Sequence, residues 1–272
     1  ALFTGEPEIV NDLPIIEIAD TELVLPVADG PPAVPAAPSS VPAWQRWNDF
    51  GIGLLRGGQL RQAREAFERV EALGRPEGAI NLVRVFLQEG LVQTDAPAAL
   101  ARAAAMDPPA LEWQLLWFGG QVAMRNGDYL QAADNFREIL RGGFTQAEGR
   151  GFEFGNDYRL RNALGQALYQ LGLAASGDRR RELMNEARAE YEAALSMDPE
   201  NLNAHWGMKL VARDLGDAEL EAHHAERHAT YRPDDNARDV AITLARRRYP
   251  AADRAAEDVV IHDLHRPGAY AL

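Results

Sequence analysis

The sequence predicts an all-α protein: a solenoid of helical hairpins behind an extended N-terminal arm. Three observations carry that expectation. From residue 44 onward, helix formers dominate and apolar side chains recur with a 3.6-residue period. Small residues, glycine above all, return at a fixed interval inside those helices. Residues 31–42, PPAVPAAPSSVP, read as a semi-rigid linker that sets the helical body apart from what precedes it.

Residues 1–43 hold seven acidic side chains and no Lys or Arg. Within them DLPIIEIA and TELVLPV read as two short extended segments, each bounded by proline. The arm has too little apolar mass to fold alone and is expected to lie against the body, an upstream domain or a partner. The first helical stretch, WNDFGIGLLRGGQLRQAREAFERV (47–70), is amphipathic yet contains four glycines. Each glycine inside a helix costs about 1 kcal/mol relative to alanine. Close helix contact explains that cost: Gly51 and Ala63 face one another in a hairpin, Phe67 fills the gap toward the next unit, and Gly57–Gly58 form the turn. Gly53 has no packing role that the pattern reveals.

Residues 113–144 superpose on residues 44–76, so that Gly120 matches Gly51, Gly127 matches Gly58, Ala132 matches Ala63 and Phe136 matches Phe67. Residues 77–109 hold a weaker copy, with Ala96, Leu100, Ala103 and the ending AAAMDPP. Another unit starts near Tyr158, with Leu164–Gly165, Ala187, Tyr191, Ala194 and Pro199. Residues 202–233 hold a divergent one, with Leu215–Gly216–Asp217 and a closing Pro233. The expected organisation is an arm and linker over 1–43, a solenoid of four to five hairpins over 44–249, and a tail over 250–272. Two features depart from the repeat. About ten extra residues around AASGDRRREL separate two helices or lengthen them, and RGGFTQAEGRGFEFGNDY replaces a short turn. Phe152, Phe154 and Tyr158 in that connection are expected to plug a repeat interface.

Composition narrows the function. The chain has 272 residues, net charge −13 and a single lysine, Lys209, which argues against a phosphate-backbone partner. The runs Arg179–Arg181 and Arg246–Arg248 read as solvated helix faces. Cysteine is absent, which removes disulfides, thiolate zinc sites, cysteine nucleophiles and C-x-x-C-H haem attachment from these residues. No apolar run is long enough for a transmembrane helix. The missing initiator Met and signal-like segment suggest a processed or truncated chain.

Six histidines cluster late: His205, His223, His224, His228, His262 and His265. His224 and His228 stand at i and i+4, a spacing that lets two imidazoles meet one metal. HHAERH is nonetheless not HExxH, and no glutamate occupies the general-base place. His262 and His265, in IHDLH, offer imidazoles to a neighbouring haem iron. Solvated or interface histidines are the expectation for the group, with no metal or cofactor assigned to this chain. Asp234–Asp235 and Glu257–Asp258 are carboxylate pairs of the kind any acidic chain contains. No G-x-S-x-G, phosphate loop or dinucleotide fingerprint occurs, so an enzyme is not expected. Trp44, Trp113, Trp117 and Trp206 recur near helix starts and read mainly as core or interface anchors.

The repeat resembles the tetratricopeptide repeat: a bulky residue, glycine about four later, alanine about twelve beyond, an aromatic four further, and a terminal proline. Trp47, Gly51, Ala63 and Phe67 fit, as do Gly120, Gly127, Tyr129, Ala132 and Phe136, and the match covers roughly residues 44–233. The resemblance implies that the first helix of each hairpin lines a concave groove. Helical spacing then places Asn48, Ile52, Asn81, Val85, Trp117, Gln121, Asn162 and Gln166 along one surface. Amides both donate and accept there, which suits an extended peptide backbone. Relatives that clamp a C-terminal carboxylate use Lys and Arg, and the near absence of lysine argues against that ligand.

A narrower resemblance runs over nearly the whole chain. The order LPIIEIA…LPV, Pro-rich linker, RWNDFGIGLL, LVRVFLQEG, a further repeat set and a late IHD is similar to the C-terminal tetratricopeptide region of bacterial multihaem c-type cytochromes. It implies a protein-binding scaffold in an extracytoplasmic electron-transfer assembly, periplasmic or at the cell surface. Any haem would sit on an associated chain or on residues outside these. A homo-oligomer also fits. The alternatives are a periplasmic assembly or chaperone-like peptide-binding module, and an enzyme with the late histidines as metal ligands.

Overall fold

A computed structural model describes residues 41–149 and 153–232. Residues 1–40 of the arm and linker, Phe152, Pro233, the expected solenoid residues 233–249 and the 250–272 tail lie outside the described residues. With them go Asp234–Asp235, Arg246–Arg248, Glu257–Asp258, His262 and His265.

Residues 42–232 form one compact unit, and the described residues are helical throughout, without strands. Ten helices pair into five hairpins. Helix α1 (Ala43–Arg56) turns into α2 (Leu60–Ala72), and α3 (Pro76–Glu89) into α4 (Asp95–Ala105). Then α5 (Glu112–Asn126) pairs with α6 (Tyr129–Arg141), α7 (Tyr158–Ala174) with α8 (Gly177–Met197), and α9 (Leu202–Leu215) with α10 (Ala218–Tyr231). Each helix packs on the one before and the one after, and α1 also touches α3, α3 touches α5, and α7 touches α9. This is the expected all-α solenoid, with tetratricopeptide-like hairpins.

Local chemistry sets the turns. Gly127 and Gly216 both adopt φ +78°, a left-handed conformation that ends α5 and α9 without a Cβ penalty. Each is followed by an aspartate that starts the return helix, Asp128 accepting from the Gln131 amide and Asp217 from the Leu220 amide. The extra residues around 175–184 do not form a loop. They lengthen the fourth hairpin, whose helices run 17 and 21 residues with only Ala175 and Ser176 between them. In the long connection before it, Phe154 is buried against Trp113 at 5.5 Å and Phe144 at 5.7 Å. It acts as the expected plug. Tyr158 does not: it begins α7 and stays 40% exposed, because the helix turns it outward.

The recurring small residues are closely packed, but the expected pairing is corrected: Gly51 meets the Phe67 ring of its own hairpin and not Ala63. A Cβ added to Gly51 would fall 2.6 Å from the Phe67 ring, and one added to Gly120 would fall 2.7 Å from Cζ of Phe136. Tyr191 serves two glycines: Gly165 in its own hairpin, at 2.9 Å, and Gly207 in the next, at 2.5 Å. Phe67, Phe136, Ala63 and Ala132 are fully buried. Helices therefore approach until an aromatic ring rests on bare backbone. Gly53 is different: it is exposed, a Cβ there meets nothing within 4 Å, and nothing in the structure explains it.

Candidate partner-binding groove

Three first helices, α5, α7 and α9, bound a groove of about 460 Å³. Helix α5 contributes Trp117 and Gln121. From α7 come Arg159, Asn162, Ala163, Gln166, Tyr169 and Gln170, from α8 comes Tyr191, and from α9 come Asn203, Trp206, Gly207 and Leu210. The i,i+4 spacing that the sequence offered on α5 and α7 is what turns these side chains to one side.

Four of the eight expected groove residues are here: Trp117, Gln121, Asn162 and Gln166. The other four, Asn48, Ile52, Asn81 and Val85, are buried at 3%, 6%, 5% and 0% exposure. That half of the expected surface is corrected. Asn81 Nδ2 donates to the side-chain Oδ1 of Asn48 at 2.8 Å and Asn81 Oδ1 accepts from Arg84 at 3.0 Å, so these amides join hairpins instead of facing a ligand. Ile52 and Val85 are core. Around them Arg84 is brought down to about 10 by burial and by the charge of Arg56.

Asn162 is the most informative side chain of the groove. The side-chain Oδ1 of Asn201 accepts from the Ala204 amide at 3.0 Å, where it caps α9, and from Asn162 Nδ2 at 2.9 Å. That double acceptance fixes which end of the Asn162 amide faces Asn201. Its Oδ1 is left buried without a partner, on a residue 9% exposed.

The groove walls are held firmly. Tyr169 donates to Asp214 at 2.7 Å, and Asp214 also takes Arg180, tying α7, α8 and α9 together. Burial first, then that bond to a carboxylate, pushes the Tyr169 phenol up to about 12. Arg159 is held by Asp157 at 3.1 Å. Trp117 leans on Phe136 at 5.6 Å, and Trp206 stays 45% exposed beside Lys209 at 4.6 Å and the His228 ring at 5.0 Å. Of the other tryptophans, Trp113 is buried and Trp44 lies under Arg75 at 4.2 Å.

His224 and His228 do not converge on a common point. His228 packs on Trp206, whereas His224 turns inward and meets His205, Nδ1 to Nδ1 at 2.9 Å. His205 Nε2 sits 3.0 Å from the Pro199 carbonyl, which can only accept, so that nitrogen carries the proton. His224 Nδ1–H therefore donates to His205. Among the described residues no group of three or more metal-ligating side chains gathers.

Burial, and next the His205 ring, lower His224 to about 4. An unfolded histidine titrates near 6.5. Between those values the unfolded chain binds a proton that the folded one refuses, so stability falls as pH drops from about 6.5 toward 4 and is flat below. With allowance for partial screening, the loss is about 1–2 kcal/mol. Urea midpoints measured from pH 7.5 to 4 are expected to show it, and His224→Leu is expected to flatten that part of the curve. An unchanged slope in the variant contradicts the assignment.

Sequence reasoning missed Gln170, although it continues the 162, 166 spacing by one more turn. It missed Tyr169, Tyr191 and Asn203 because their placement depends on how α8 and α9 pack, which no local spacing reveals.

Compared with known proteins, the chain matches no protein-family profile and no curated protein. Solved structures do resemble it. A MamA RS-1 ArsTM double mutant is 14% identical with a TM-score of 0.53, covering 70% of this chain and 95% of that one. Another MamA crystal structure is also 14% identical with a TM-score of 0.51, covering 76% and 94%. MamA MSR-1 in form C2 is 20% identical with a TM-score of 0.50, covering 69% and 95%. At such identities the likeness speaks to the fold alone: an array of packed helical hairpins.

Proposed function

We propose that this protein is a binding scaffold that engages other proteins through the groove between α5, α7 and α9, and that it is not an enzyme. The groove lining carries the reading. It presents amides and aromatic rings, groups that hold a ligand by hydrogen bonds and contact area but are poor at moving protons or attacking carbonyls. The finer reading places the scaffold in an extracytoplasmic multihaem electron-transfer assembly. Its support is the order of segments along the chain: the LPIIEIA…LPV arm, the Pro-rich linker, the repeats and the late IHD. Haem in that case belongs to a companion polypeptide or to residues outside these.

Native mass spectrometry of the intact complex tests both levels. A stoichiometric companion chain is the expected result, and companion-borne haem supports the finer reading. A lone monomer at micromolar concentration contradicts the scaffold reading, and a haem-free companion contradicts the finer one. A mixture of peptides released on denaturation assigns the chaperone-like alternative instead.

A further inference from the structure

Helix α10 is fastened by a histidine. Its one buried side chain is His224, at 6% exposure, while Leu220, Glu221, Ala225, His228 and Tyr231 are half-buried. Among the described residues its main packing partner is α9. His224 donates from Nδ1 to Nδ1 of His205, itself buried on α9, and the Pro199 carbonyl keeps the His205 proton on Nε2. This arrangement has no good place for another proton. One added to His205 Nδ1 would face the His224 N–H and remove the bond. One added to His224 Nε2 would keep the bond but bury a cation. The surroundings do not favour that cation. Glu192 of α8 attracts it, whereas Arg188 of α8, His205 of α9 and His223 of α10 oppose it. Next to the pair, Tyr231 stacks on the His205 ring at 5.5 Å, and His228 faces the charges of Lys209 and Arg232.

We propose that α10 is an acid-released flap: protonation of the buried His205–His224 pair shifts α10 off α9 while the hairpins before it stay packed. Once α10 has swung away, both imidazoles meet water and take protons near pH 6.5. The open form therefore gains on the closed one as pH falls from about 6.5 toward 4, and the gain levels off below. Little else resists. The Arg213–Glu221 pair joins the two helices at 2.8 Å, but at the surface, where such a pair contributes little. The preceding hairpin is held by other means: α7 and α8 bury Leu164, Leu168, Leu183 and Met184, apolar side chains that acid leaves unchanged. Departure of α10 also lifts the His228 ring from Trp206, whose indole lines the groove. Resting on the groove reading above, the flap thus regulates binding, because acid alters one groove wall.

The test is hydrogen–deuterium exchange by mass spectrometry on the full chain at pH 7.5 and 4.5, each rate divided by the intrinsic rate at that pH. Amides of α10 are expected to lose protection about tenfold or more on acidification, and those of α3 and α7 less than about threefold. Equal loss in all helices overturns the flap, since acid then opens the whole array, and so does unchanged protection in α10. His224→Gln separates the pair from its neighbours. A glutamine amide donates to neutral His205 or, turned round, accepts from the protonated ring, so α10 in this variant is expected to respond to acid less than about threefold. A response equal to the parent's overturns the role of the pair. If α10 of His224→Gln is already unprotected at pH 7.5, the double variant His223→Gln, His228→Gln decides. Retention of the parent's response supports the buried pair, and its loss overturns it. This readout needs no ligand, so its failure leaves the groove reading intact, and the absence of a companion chain leaves the flap intact.

Discussion

Gly78→Leu is expected to lower the unfolding free energy by more than about 3 kcal/mol. A Cβ at position 78 would lie 2.6 Å from the Phe67 carbonyl oxygen and 2.8 Å from the Glu71 Cα. Those are backbone atoms of α2, so no rotamer change relieves the contact, and only a shift of α3 as a whole can. That shift would pull Ala79 and Val83, both fully buried, away from their neighbours. Gly53→Ala is the matched control, since its added methyl meets nothing and alanine is the better helix former by about 1 kcal/mol. Urea titrations followed by circular dichroism check both. A Gly78→Leu midpoint equal to the parent's contradicts the close approach of α2 and α3.

Tyr191→Ala is expected to cost about 3–5 kcal/mol, the range for deleting a large aromatic from a core. The ring is 4% exposed and rests on Gly165 of one hairpin and Gly207 of the next, so its loss opens a void on both sides. It also lines the groove, and burial pushes its phenol up. Tyr191→Phe keeps the ring and is expected to stay within about 1 kcal/mol of the parent. Thermal unfolding of the two variants separates ring packing from the hydroxyl. Equal losses in both contradict a packing role.

The different fates of the expected residues show what a sequence pattern contains. Gly51, Ala63 and Phe67 were readable because their partners are side chains at a fixed interval along the same hairpin, and the interval repeats at Gly120, Ala132 and Phe136. Gly78 was not, because its partner is backbone, which leaves no residue type to recognise. Asn48 and Asn81 share a helix face with the groove residues, and face counting cannot tell an amide that bonds to the next hairpin from one that faces open space. The orphaned oxygen of Asn162 becomes visible only once Asn201, 39 residues later, is seen to hold the other end of the amide. His205 and His224 were legible as two of six late histidines, but their mutual hydrogen bond spans two helices and follows from how α9 meets α10. The spacing of His224 and His228 permitted a shared metal without requiring one, because it is blind to rotamers, which send one ring inward and the other onto Trp206.

The groove depends on helices coming close enough for rings to sit on glycine, and one double-mutant cycle measures that contact directly within the third hairpin. Gly120→Ala, Phe136→Leu and the double variant are compared with the parent by urea unfolding. Gly120→Ala alone forces a methyl into the buried Phe136 ring and is expected to destabilise by about 1–3 kcal/mol despite alanine's better helix propensity. With leucine at 136 the ring is gone and the methyl fits, so the double variant is expected to match or exceed Phe136→Leu alone, a coupling of about 1–3 kcal/mol. Strictly additive losses would mean that the ring does not rest on Gly120, and the packing that positions the groove would have to be abandoned.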